Sequence, residues 1–80
     1  MQVALVTPEL DLPPQQVVTA SAWLVPLGRD VFEGDRLLEL SAGEVTVDLP
    51  SPASGRLVQK AVSEGEVVTV NQILGMIQTE

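Results

Sequence analysis

Val25-Pro26-Leu27-Gly28-Arg29-Asp30-Val31-Phe32-Glu33-Gly34-Asp35-Arg36-Leu37-Leu38-Glu39-Leu40 has an echo 37 residues further along the chain. Val25 answers to Val62, Gly28 to Gly65, Val31 to Val68, Leu37 to Leu74 and Leu40 to Ile77. Apolar positions and a turn glycine recur together, which predicts two similar sheets related by a pseudo-two-fold axis, each giving one face to a shared core. The product is a flattened β-barrel or sandwich. The midpoint of the repeat falls between Leu40 and Val45, so Ser41-Ala42-Gly43-Glu44 becomes the hairpin that joins the halves and projects from one end.

The rest of the chain fits that plan. Six glycines and six prolines break it into short pieces, too closely spaced for long helices. Between them lie β-branched runs at Val3 to Val6, Val17 to Val25, Val31 to Phe32, Arg36 to Leu40, Val45 to Leu49, Arg56 to Val62, Val67 to Val70 and Ile73 to Ile77. In Val45-Thr46-Val47-Asp48-Leu49 the alternation turns Val45, Val47 and Leu49 to a core and Thr46 and Asp48 to water. Gln15 to Val25 also has apolar residues at helical spacing, but its β-branched content favours a strand. Thr7 to Pro14, with three prolines and two acids, reads as an exposed connection.

Composition narrows the function. Eighty residues hold one small domain, and with 45% hydrophobic residues they can furnish its core. There is no cysteine or histidine, which removes disulfides, thiolate or imidazole metal sites and the usual nucleophile pairs. A net charge of −7 opposes nucleic acid and anionic membranes, and two aromatic residues, Trp23 and Phe32, give no platform for bases or sugars. No segment reads as a signal peptide or a membrane span, so the expectation is a cytoplasmic domain without membrane insertion.

Thr7-Pro8-Glu9-Leu10, Trp23-Leu24-Val25, the run from Gly28 to Leu40, Val47-Asp48-Leu49-Pro50-Ser51-Pro52-Ala53-Ser54-Gly55 and Glu64-Gly65-Glu66-Val67-Val68 follow one another in an order that resembles the biotinyl/lipoyl carrier domains. Within that family the similarity is greatest to the lipoyl domains of dihydrolipoyl acyltransferases. The resemblance implies an all-β, flattened barrel-sandwich of two four-stranded antiparallel sheets with quasi-two-fold symmetry. It also implies a lysine at the apex of the central hairpin, acylated by lipoic acid or biotin. Counting back from Val47-Asp48-Leu49-Pro50, that position falls on Glu44, preceded by Gly43 where an aspartate is expected. A carboxylate has no nucleophilic nitrogen with which to form the amide. The one lysine, Lys60, is expected mid-strand and solvated, paired by the repeat offset with Trp23.

The remaining candidates carry less. Asp30, Glu33 and Asp35 around Gly34 lack the ligand spacing of an EF-hand and read as a solvated turn, with Arg29 and Arg36 pairing locally with these acids. Gly28, Gly65 and Gly55 are expected at positive φ. Trp23 is expected to be a partly buried packing residue. No catalytic residue, no cofactor-binding residue and no metal ligand is assigned.

Residues 1–80 are therefore read as one lipoyl-like domain, either alone or as the N-terminal part of a longer chain. It acts through the hairpin Ala42, Gly43, Glu44 and Val45 on a protein partner, with dehydrogenase-complex components as the implied class. Two alternatives stay open at this point. One is a lipoyl or biotin carrier modified at Lys60 or altered at Glu44. The other is the structural lipoyl-like module of a membrane-fusion or efflux adaptor, whose coiled-coil insertion at the tip is absent here.

Overall fold

The computed structural model describes all 80 residues as eight strands and no helix. They are β1 (Gln2–Val6), β2 (Val18–Trp23), β3 (Asp30–Val31), β4 (Arg36–Ala42), β5 (Val45–Pro50), β6 (Gly55–Lys60), β7 (Val67–Val68) and β8 (Ile73–Gln78). Two four-stranded sheets result, ordered β1-β8-β6-β3 and β5-β4-β2-β7, with every neighbouring pair antiparallel. Adding 37 to the residues of β2 and β3 gives those of β6 and β7, and adding it to β4 gives all of β8 and one residue more, so one sheet order maps onto the other. Each sheet takes its two edge strands, β1 and β3 or β5 and β7, from the opposite half, and this exchange ties the halves together.

The repeat also predicts the core. Val31 and Val68, Leu37 and Leu74, and Leu40 and Ile77 are all buried, as are Ala20 and Leu57 at the same offset. Leu37, Leu38, Leu40, Leu57, Leu74 and Ile77 are fully buried, each removing apolar surface worth about 1.5–3 kcal/mol from water. On β5 Leu49 is buried and Val47 packs against the core, but Val45 is 53% exposed because the core ends before the hairpin does.

The strand expected at Val67–Val70 is shortened to Val67–Val68 and the one expected at Val31–Phe32 is shifted to Asp30–Val31, since a turn claims the C-terminal end of each. Phe32 and Asp35 close one turn, with Asp35 N–H donating to the Phe32 carbonyl at 2.9 Å and Phe32 N–H donating to Asp35 Oδ2 at 2.9 Å. Thirty-seven residues on, Gln72 N–H donates to the Thr69 carbonyl at 3.1 Å and Thr69 N–H donates to Gln72 Oε1 at 3.0 Å. Gly34 and Asn71 hold the equivalent left-handed position, at φ 94° and 67°. A side chain that caps its own turn outweighs the β propensity of Val70.

Gly28 and Gly65 have positive φ, as expected, but Gly55 does not. A Cβ on Gly55 would run into the Gln78 carbonyl of β8, so this glycine permits close backbone approach between strands.

Candidate functional site

The hairpin between β4 and β5 turns on two residues, Gly43 and Glu44, with Ala42 and Val45 paired at its base. Gly43 has φ 63° and Glu44 is not among the residues at positive φ, a combination suited to a tight turn with glycine in its first central position. Gly43, Glu44 and Val45 are exposed and Ala42 is buried, so of the four residues assigned to the tip three face solvent and one anchors it. Gln16, from the connection after β1, lies against the turn: its amide is 3.6 Å from the place a Cβ on Gly43 would occupy. That contact joins positions far apart in the chain, and no local pattern announced it.

The carboxylates near the tip are sparsely partnered. Glu39 on β4 and Asp48 on β5 stand directly opposite each other in the ladder. Ser21 donates to Glu39 Oε1 at 2.6 Å, and Arg36 approaches Asp48 at 3.8 Å with its own side chain 77% exposed. Such an exposed pair is worth about 0–1 kcal/mol. Arg36 thus reaches across the sheet instead of pairing with Asp30, Glu33 or Asp35, and Asp30 pairs with Arg56 at 3.3 Å. Register explains the correction, because Arg36 sits opposite Pro50 and Asp30 opposite Arg56.

Lys60 ends β6, in the other sheet from the hairpin, and is half-buried, not freely solvated. Its Nζ lies 5.2 Å from the centroid of the Trp23 ring, a cation–π contact. Trp23 is partly buried, as expected, with its indole N–H donating to the Val62 carbonyl at 2.9 Å and its backbone N–H to Glu64 Oε2 at 2.8 Å. Trp23 and Lys60 hold equivalent places in the repeat. Equivalent residues can touch only near the pseudo-two-fold axis, which places this pair beside it.

Comparison with known proteins agrees with this geometry. Residues 9–77 match the model of the biotin/lipoyl family described as "Biotin-requiring enzyme". The chain belongs to that family. Over 60 residues, 75% of this chain, it is 38% identical to the dihydrolipoyllysine-residue succinyltransferase component of the 2-oxoglutarate dehydrogenase complex of Bartonella vinsonii subsp. berkhoffii, covering 15% of that protein. The corresponding component of Haemophilus influenzae is 30% identical over 99% of this chain and 19% of its own length. The chain thus spans less than a fifth of these curated relatives. Among solved structures, the lipoyl domain of the 2-oxoglutarate dehydrogenase complex from Azotobacter vinelandii superposes with a TM-score of 0.73 at 18% identity, covering 95% of this chain and 98% of that domain, a likeness of fold. A single-chain, multi-domain long-chain acyl-CoA carboxylase superposes at 0.74 with 26% identity, over 99% of this chain and 7% of that one.

The family carries lipoate or biotin, and its domains are of a carrier type that serves enzyme chains without catalysing a reaction. No helix of this chain is long and apolar enough to cross a membrane.

Proposed function

We propose that residues 1–80 form a lipoyl-like domain without a modifiable lysine, a non-catalytic module that works by protein contact. It is related to the acyltransferase components of 2-oxo acid dehydrogenase complexes, and its expected compartment is the cytoplasm. In this reading Glu44 occupies the family's attachment position and the tip formed by Ala42, Gly43, Glu44 and Val45 faces the partner.

One observation carries the reading: the single lysine, Lys60, is on β6 with its ammonium over Trp23, while the hairpin apex bears Gly43 and Glu44. Attachment of lipoate or biotin is an amide bond between an activated acyl group and a primary amine. The residues at the apex do not fit that group, because a carboxylate offers no nitrogen. The same fact disfavours a carrier modified at Lys60, whose amine lies against an indole on a strand, away from the hairpin.

Co-expression with a lipoate ligase and with a biotin ligase tests the proposal by intact mass. The unaltered chain is expected to remain unmodified, and Gly43→Asp with Glu44→Lys is expected to gain a lipoyl group at residue 44. Modification of the unaltered chain would overturn the proposal. Failure of the double variant would show that more than the amine has been lost from the tip.

A further inference from the structure

The two long edge strands of the molecule are β1 and β5, and they differ in charge. β1 has no charged side chain, whereas β5 carries Asp48 opposite Glu39 and begins beside Glu44. Along β5, pairing of Val45 with Ala42 closes the turn, so Val45, Val47 and Leu49 direct their backbone groups at β4. Thr46 and Asp48 direct theirs outward. None of the backbone hydrogen bonds outside the strand ladders involves residues 45–49, and β4 is the only strand beside β5. Two N–H and two C=O groups therefore form an open template for another strand.

Charge says which strand fits. Like charges directly opposite in a ladder destabilise it, and Arg36 gives Asp48 only a long, exposed contact. A second copy of this chain brings another −7 and is repelled. An incoming lysine or arginine relieves the Glu39–Asp48 opposition. On the inner side, exposed Val45 and half-buried Val47 leave apolar surface for the alternate residues of the same segment.

We propose that the free edge of β5 docks an extended partner segment in which basic and apolar residues alternate. Its backbone pairs with Thr46 and Asp48, its cations lie beside Glu39, Glu44 and Asp48, and its apolar residues cover Val45 and Val47. The inference rests on the domain acting through its surfaces and gives the partner a chemistry.

The probe is acetyl-Lys-Val-Lys-Val-Lys-Val-amide, titrated into the isotope-labelled 80-residue chain with amide hydrogen exchange as the readout. At saturation the Thr46 and Asp48 amides are expected to exchange about tenfold or more slowly, with Gln2 and Ala4 on the β1 edge unchanged. Asp48→Lys, and salt at about 0.5 M, are each expected to weaken binding about tenfold or more. Asp48→Asn serves the same purpose should the lysine variant fold poorly. A glutamate-for-lysine peptide and a backbone N-methylated peptide are expected not to bind. Absent protection at Thr46 and Asp48, protection on β1 instead, equal binding of the N-methylated peptide, or self-association through β5 would each overturn the proposal. Its failure is distinguishable from failure of the lysine-less reading, which shows as covalent mass.

Discussion

Gly55→Ala probes how closely β6 and β8 must approach for the sheets to form. The added Cβ meets the Gln78 carbonyl, then the Gln78 carbonyl carbon at 2.9 Å and Ile77 Cγ2 at 3.1 Å. The first two are backbone, so no flexible side-chain end can swing aside. Gly55 pairs with Val31 on β3, so moving it disturbs two ladders. Overpacking of this kind costs about 1–3 kcal/mol, and the backbone obstacle puts Gly55→Ala near the upper end. For a chain of 80 residues total stability is of order 4–12 kcal/mol, so roughly 3 kcal/mol is a large share. It corresponds to a fall in Tm of roughly 12–24 °C. Urea unfolding followed by the fluorescence of Trp23, the sole tryptophan, gives the value directly. Gly28→Ala and Gly65→Ala are the controls: open space surrounds both, at φ 90° and 95°. Each is expected to lose about 1–2 kcal/mol from backbone strain alone, and by nearly equal amounts. A loss below about 0.5 kcal/mol in Gly55→Ala would refute the close-approach reasoning.

Leu57→Ala removes a fully buried side chain at the centre of the core and is expected to cost about 2–5 kcal/mol in the same titration; a loss under about 1 kcal/mol would mean the site collapses freely. Trp23→Phe leaves the Val62 carbonyl without its indole donor and is expected to cost about 1–3 kcal/mol, whereas Lys60→Met is expected to stay within about 1 kcal/mol of the parent by calorimetry. Thr79 N–H donates to the Met1 carbonyl at 2.8 Å, so the paired ends of β1 and β8 stand where the repeat puts a hairpin. A circular permutant linking Glu80 to Met1 through a short glycine turn and opening between Gly43 and Glu44 is expected to keep the native pattern of amide resonances; an unfolded spectrum would contradict the symmetry.

The eight strands and the pseudo-two-fold were legible because the core pairs share both residue type and spacing: Leu37 with Leu74, Leu40 with Ile77, Val31 with Val68. What the sequence left hidden depends on contacts across the chain. Thr69-Val70 reads as strand until Gln72 is seen capping Thr69 through its side chain. Gly55 looks like a turn glycine until β8 is laid beside it. Arg36 has acids for near neighbours, and only the β4–β5 register gives it Asp48 instead. At the hairpin, residue identity was plain at Gly43 and Glu44, but the neighbouring Gln16 and the outward backbone of Thr46 and Asp48 follow from topology.

The central claim is chemical: a scaffold of this shape that presents a carboxylate at its apex bears no prosthetic arm. Intact mass and peptide mapping of the protein isolated from its native source test it most directly. The expected mass is that of the bare chain, with the peptide containing Lys60 unmodified. A lipoyl or biotinyl group on Lys60, or anywhere on the domain, would contradict the claim.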